Sequence, residues 1–189
     1  MKKVLLISIV IILAAPVAAW AMYKPMRVLA PSWVKGIVCL SHEICMEDPS
    51  RYQEAKDIYR SALNHVSSVV GVFQNNPRII FCSTEHCYNS FGFKKSSAAN
   101  IGSSGIVVSP RGWEDYYLRH EMIHHRQAEE FGVFSSLLKP EWLMEGMAYS
   151  LSNDPRQQLS RRWQSSRDKF DKWLKEIDER NLWKEARKI

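Results

Sequence analysis

The chain has 189 residues, of which 46% are hydrophobic and 24% are charged, and its formal net charge is +6. This length suits one domain with its own core, and this composition is ordinary for a globular protein. The basic residues are scattered and no nucleic-acid-binding module is recognisable, which argues against a nucleic-acid partner. The positive charge instead favours solubility or attraction to an anionic membrane surface.

The first 23 residues have the pattern of a targeting segment. Lys2 and Lys3 precede an uncharged run over residues 4–23, and small residues flank Trp20 at positions 19 and 21. A positive start, a short apolar run and a small-x-small site are typical of a signal peptide. The uncharged run is also long enough for an uncleaved membrane anchor. Both readings predict an exported protein, either periplasmic or secreted, and the second predicts association with the inner membrane.

Residues 24–50 contain several prolines, which predicts an irregular strap with one short strand at residues 37–40. The chain has four cysteines, Cys39, Cys45, Cys82 and Cys87. Four cysteines allow three disulfide connectivities. Local pairing, Cys39 with Cys45 and Cys82 with Cys87, is favoured because each pair closes a short loop, and disulfides agree with export. The rival is a four-cysteine zinc site, for which neither pair has the usual close spacing.

Apolar residues at three- and four-residue spacing predict a helix over residues 51–70. A strand is predicted at residues 77–82, then a short turn or helix at 85–88, a loop at 92–97, and a second strand within residues 100–110 that begins with glycines. We interpret His65 and His86 as structural histidines rather than metal ligands.

The segment from His120 to His124 reads His-Glu-Met-Ile-His. Residues 114–131 contain no proline or glycine, which predicts one helix with this motif in its middle. Two histidines four residues apart share a helix face and can bind one Zn²⁺. Glu121 is then placed to act as general base on a water molecule. His125 points about 100° away from His124 and should not bind the same metal.

A carboxylate for the same site follows in the segment Glu-Trp-Leu-Met-Glu-Gly-Met-Ala-Tyr, residues 141–149. Pro140 predicts a helix start. Glu141 and Glu145 are one turn apart, so both could face the metal.

His-Glu-x-x-His followed by Trp-Leu-x-Glu-Gly-x-Ala resembles the gluzincin branch of zinc peptidases, also grouped as peptidase MA-like. The resemblance covers about residues 111–153, and the continuation typical of metzincins is absent. It implies a zincin-like fold in which Glu145 is the third zinc ligand. It also implies that residues 100–110 supply an edge strand beside the cleft, where the backbone of an extended substrate could pair.

Tyr149 departs from the resemblance, because some gluzincins carry there an aspartate that bonds a zinc-binding histidine. Its hydroxyl could supply that bond or polarise a substrate carbonyl, and simple packing is the alternative. Gly146 is expected to let the two metal-binding helices approach each other. A long helix over residues 155–187 is predicted to close the core, with a membrane-facing or partner-binding role as the alternative.

These observations predict an α+β, zincin-like fold, with a small mixed sheet packed on the helix that carries His120 and His124. The domain should span residues 51–189. The predicted function is a zinc-dependent metallopeptidase with Zn²⁺ as cofactor and a peptide or protein as substrate. The alternatives are an exported zinc-binding domain with a binding or assembly role, and a metal-free structural protein.

Overall fold

The computed structural model describes residues 19–189, so most of the predicted targeting segment lies outside the described residues. Within them, α-helices and a small mixed sheet are combined, and no helix is both long and apolar enough to cross a membrane. The strands are β1 (Val38–Cys39), β2 (Ile44–Met46), β3 (Ile79–Phe81), β4 (Ala98–Asn100) and β5 (Ile106–Val108). The α-helices are α1 (Tyr52–Val70), α2 (Glu85–Ser90), α3 (Asp115–Phe131), α4 (Val133–Ser136), α5 (Glu141–Leu151), α6 (Arg161–Glu176) and α7 (Leu182–Ala186). Short 3₁₀ helices lie at Lys24–Leu29, Pro31–Trp33, Pro49–Arg51 and Glu179–Asn181.

The strand order in the sheet is β1-β2-β3-β5-β4. The three central strands are parallel, and the outer strands β1 and β4 each pair antiparallel with their neighbour. Both faces are covered, which explains why the central strands are wholly buried. β4 is an edge strand, and this position brings its free side to the helix that carries the histidine motif.

Alternation along the strands divides the core into two layers. Ile79 and Phe81 face the helical layer, which contains the apolar sides of α1, α3, α5 and α6. Ile80 faces the opposite layer, which is formed by the 3₁₀ helices Lys24–Leu29 and Pro31–Trp33, by the residues between Trp33 and β1, and by α2. The sheet therefore lies between the helical layer and the layer that contains the N-terminal strap.

The predicted helix at residues 51–70 is confirmed as α1. Its buried residues, Ala55, Tyr59, Ala62, Val66 and Val70, recur every three or four positions along one face. The predicted motif helix is confirmed as α3, and the predicted short turn or helix at 85–88 is confirmed as α2. These elements could be predicted from the sequence because each has a periodic apolar face or a clear boundary.

Both favoured disulfides are present. Cys39 and Cys45 join β1 to β2, and Cys82 and Cys87 join the end of β3 to α2. All four cysteines are therefore paired, which rules out the four-cysteine zinc site. Two disulfides are consistent with an extracellular location.

Residues 24–50 are more ordered than predicted. They contribute β1, where a short strand was expected, and also β2, which was missed and pairs with both β1 and β3. β2 has only three residues between Glu43 and Glu47, too few for an alternating pattern to be recognised.

The strand predicted within residues 100–110 is shorter and is not the edge. β5 (Ile106–Val108) lies one position inside, and the edge is the preceding strand β4. β4 begins directly after the loop predicted at residues 92–97, and its residues Ala98, Ala99 and Asn100 have weak β propensity. The two strands form a hairpin through residues 101–105.

The long C-terminal helix is wrong as predicted, because α6 ends at Glu176 and a separate short helix, α7, follows. Ile177 is extended, which turns the chain back toward α1. There Leu182 and Ala186 enter the core, and the indole N–H of Trp183 donates to the carbonyl of Val70 over 2.7 Å. Burial of these residues favours the break.

Candidate metal centre

Two faces of α3 have different surroundings. Leu118, Met122 and Ile123 are fully buried in the core. His120 and His124 lie one turn apart on another face, where their side chains are largely but not completely buried. Because residues four apart on a helix are stacked, the two imidazoles converge, and their Nε2 atoms lie 3.2 Å apart.

The third member of the group is Glu145 on α5. Its two carboxylate oxygens lie 3.5 Å from Nε2 of His120 and 3.5 Å from Nε2 of His124. One ligand atom from each of the three residues lies within 4.8 Å of the others, so the group could hold a metal ion. A tetrahedral zinc ion with bonds of about 2.1 Å separates its ligand atoms by about 3.4 Å. The spacing and the donor types therefore fit a three-ligand zinc site.

Gly146 positions α5, but against a different helix from the one predicted. A Cβ atom at Gly146 would lie 2.3 Å from the carbonyl oxygen of Ser166 and 2.7 Å from Cβ of Phe170, both on α6. The prediction that it brings the two metal-binding helices together is wrong. The glycine instead lets α6 pack closely on α5, directly behind Glu145.

Gln127 connects α3, which carries the two histidines, to α5, which carries Glu145, and its role was not predicted from the sequence. Its amide nitrogen donates to the carbonyl of Met144 over 3.0 Å, which leaves its amide oxygen facing Nδ1 of His124 at 2.8 Å. An amide oxygen can only accept, so Nδ1 of His124 carries a proton. In the neutral ring the lone pair is then on Nε2, the atom that faces His120 and Glu145.

Charges within the group favour the ionised forms of both His124 and Glu145. Burial disfavours the imidazolium of His124, but the hydrogen bond with Glu145 and the charges of Glu121 and Glu145 outweigh it and raise its pKa to about 9. Burial likewise disfavours the carboxylate of Glu145, but its contacts with His120 and His124 hold its pKa well below the usual range. A metal ion must therefore displace a proton from His124 at neutral pH.

Glu121 lies between the histidines and the edge of the sheet. Its Oε2 accepts a hydrogen bond of 2.8 Å from the backbone N–H of Asn100 on β4. It lines the same cleft as His120, His124 and Glu145, and this cleft has a volume of about 520 Å³. The carboxylate is thus held at the wall of the site by the edge strand.

An aromatic cluster closes the other flank. The ring of Tyr149 contacts the ring of His120 edge to face, with centroids 4.4 Å apart. Burial, followed by the charge of Glu145, raises the pKa of Tyr149 to about 12, so its hydroxyl stays protonated. Within residues 19–189 this hydroxyl makes no hydrogen bond, so the bond to a ligand histidine considered above is absent there, while the packing contact is present. Arg156 lies over Tyr117 and Tyr149 at 5.3 and 5.8 Å and is paired with Asp154.

The other candidate ligands lie outside the group. Glu141 pairs with Arg162 on α6. Nε2 of His65 contacts the carbonyl oxygen of Leu151 at 2.8 Å, at the end of α5. His125 is buried beside Glu129 and Phe73, on a different side of α3 from His124. The structural interpretation of His65 and the exclusion of His125 agree with this geometry.

Comparison of the chain with family models, with curated proteins and with solved structures gives no match. The structure therefore establishes an α+β chain with two disulfides and a His-His-Glu group that could hold a metal ion.

Proposed function

We propose that this chain is an exported zinc metallopeptidase with a zincin-like fold of the gluzincin type. The observation that carries the proposal is the convergence of His120, His124 and Glu145, with the carboxylate of Glu121 on the wall of the same cleft. The three ligands come from α3 and α5, as the resemblance to gluzincins implies. Their spacing suits zinc, and an intact carboxylate beside them suits hydrolysis.

Each residue has a separate role in this proposal. Zn²⁺ held by His120, His124 and Glu145 would polarise the scissile carbonyl and lower the pKa of a water molecule to near 7. Glu121 accepts the proton of the attacking water and later delivers it to the leaving amine. The N–H of Asn100 holds one oxygen of Glu121, which leaves the other oxygen available for this proton transfer. Tyr149, whose hydroxyl remains protonated, is the proposed donor to the carbonyl oxygen.

An extended polypeptide suits the free edge of β4 as a substrate. Hydrogen bonds between residues 97 and 109 and between residues 101 and 105 show which residues face β5. The alternate residues, Ala98 and Asn100, therefore direct their backbone groups away from β5 and toward the cleft. A peptide backbone is the partner that such an edge recognises.

The alternative, a zinc-binding domain with a binding or assembly role, gives Glu121 no task. Elemental analysis of the full chain, purified without added metal, tests the first half of the proposal and should find about one zinc per chain. Cleavage of a peptide library, followed by mass spectrometry with and without chelator, tests the second half. Bound zinc without any chelator-sensitive cleavage would favour the binding domain, and protein that neither contains nor accepts zinc would refute both.

Two substitutions separate the roles. Glu145→Gln removes a charged ligand and should weaken zinc binding. Glu121→Gln should keep the zinc and lose hydrolysis, because an amide retains the size and the acceptor for Asn100 but cannot take a proton. If Glu121→Gln loses zinc and Glu145→Gln keeps it, the assigned roles are reversed.

A further inference from the structure

An exposed apolar segment joins the two metal-binding helices. Gly132, with φ +84°, ends α3, and the chain continues through α4 to Pro140 at the start of α5. In this connection Phe134, Leu137 and Leu138 are 85%, 79% and 88% exposed. Neighbouring apolar side chains left in solvent mark binding surfaces more often than isolated ones do.

One side of this segment is a wall of the metal cleft. Val133, Ser136 and Leu137 line the same cavity as His120, His124 and Glu145, whereas Phe134 and Leu138 do not. Val133 also closes against the β4–β5 turn, since a Cβ atom at Gly102 would lie 3.1 Å from its Cγ1. This wall of the cleft is therefore continuous from the end of β4 to His120, His124 and Glu145.

The chemistry of this wall differs from that of the opposite flank. Between Gly132 and Lys139 the chain carries no charged side chain, and the parts that face the cleft are the apolar groups of Val133 and Leu137 and the hydroxyl-bearing Ser136. The hydroxyl of Ser136 is already bonded to the carbonyl of Gly132 over 2.8 Å. A charged substrate side chain would find no partner on this wall, and an apolar one would cover exposed apolar surface.

Continuity with β4 indicates what this wall contacts. A strand seated on β4 presents alternate side chains on each face, about 7 Å apart. Such a strand passes the metal group and reaches Val133 and Leu137 within one or two residues, because Asn100 contacts Glu121 and Gly102 contacts Val133. The backbone carbonyl of Asn100, like its N–H, is directed away from β5, so it is placed to accept a backbone N–H of that strand.

We infer that Val133 and Leu137 form a subsite for a large apolar side chain, Leu, Met or Phe, of a substrate residue beside the scissile bond. This inference rests on the proposed peptidase function. It makes the substrate an unfolded or extended protein segment with an apolar residue at the cleavage point. Burial of one such side chain corresponds to a preference of about 10–100-fold in kcat/KM over Ser or Asp at that position.

The chain offers a matched pair of variants for the test. Leu137→Ser removes an apolar group from the cleft wall, and Leu138→Ser makes the same change on a neighbouring residue that faces away from the cleft. The zinc-loaded full chain and both variants are incubated with a peptide library, and cleavage sites are counted by mass spectrometry. The wild type and Leu138→Ser should prefer Leu, Met or Phe next to the cut bond, and Leu137→Ser should lose most of this preference.

Several outcomes would overturn the subsite. Cleavage without an apolar preference does so, and so does a preference that both variants keep or lose equally. The subsite would also be refuted if both variants changed the sedimentation of the protein equally, or reduced its binding to phosphatidylglycerol vesicles equally, while the cleavage preference stayed intact. Those results would assign the segment to contact between copies or to a membrane surface. A wild type that holds zinc and cleaves nothing would refute the peptidase proposal, and the subsite with it.

Discussion

The hydrogen bond that Nδ1–H of His124 donates to Gln127 leads to a prediction that the sequence motif alone does not give. Gln127→Met keeps the length of this buried side chain and removes its hydrogen bonds with Nδ1 of His124, with the carbonyl of Met144 and with Sδ of Met147. Nδ1–H of His124 then remains without its acceptor, and α3 loses one tie to α5. The ring of His124 is no longer fixed in the orientation that directs Nε2 at the metal.

The expected loss can be estimated from these contacts. A buried donor without its partner costs about 1–3 kcal/mol. Partners that orient a metal-binding histidine are typically worth about 10–100-fold in metal affinity, which is about 1.4–2.7 kcal/mol. We therefore expect the zinc dissociation constant of Gln127→Met to rise by about 10–100-fold.

Competition with a chromophoric chelator measures this constant. The control is Gln53→Met, since Gln53 is exposed on α1 and its side chain donates a hydrogen bond to Asp57 one turn away, far from the histidines in sequence. Its zinc affinity should equal that of the wild type. If folded Gln127→Met binds zinc as tightly as the control, Gln127 does not orient His124.

Four further predictions follow from the same structure. Zinc binding at pH 7 should release about one proton per chain, because the pKa of His124 is raised to about 9 before the metal binds. Calorimetry in buffers of different ionisation enthalpy measures this release, which should decrease as pH rises through about 9. The absence of proton release at pH 7 would contradict the prediction. Without metal, the His124–Glu145 pair adds stability that is full between about pH 4.5 and pH 6.5, and urea melts should show it lost as pH rises through about 9 and as pH falls below about 4.5 toward the lowered pKa of Glu145. Gly146→Ala should lower the free energy of unfolding by about 1–3 kcal/mol in urea melts, since its Cβ meets the backbone of Ser166; an unchanged melt would show that α6 can move aside. Reduction of both disulfides, which close short loops, should cost about 2 kcal/mol each, and free thiols in the untreated, denatured protein would contradict their presence.

Some of the site was predictable because it is local. The pairing of His120 with His124 follows from helix geometry alone, and the structure confirms that their Nε2 atoms converge. Glu145 was harder, since Glu141 lies one turn away and offers the same chemistry. The choice between them came from the resemblance; the structure places Glu145 beside the two histidines and pairs Glu141 with Arg162. Arg162 lies 21 residues after Glu141 in the sequence, so no local sequence pattern predicts this pairing.

Other parts depended on tertiary contacts. Gln127 lies three residues after His124 on the same helix, so its spacing was a usable signal, but its bond to Met144 on α5 was needed to identify its role. β4 was missed because Ala98 and its neighbours owe their extended conformation to pairing with β5. The partner of Gly146 was assigned to the wrong helix for a related reason, since a glycine predicts a close approach without naming what approaches.

The central claim is that Glu121 serves hydrolysis at a zinc centre, and one comparison tests it most directly. The initial cleavage rate of a substrate peptide is measured for the zinc-loaded wild type and for zinc-loaded Glu121→Gln, with equal zinc content verified in both. General-base catalysis typically contributes about 10²–10⁴-fold, so the variant should lose at least about 99% of the wild-type rate. Full activity in Glu121→Gln would contradict this account.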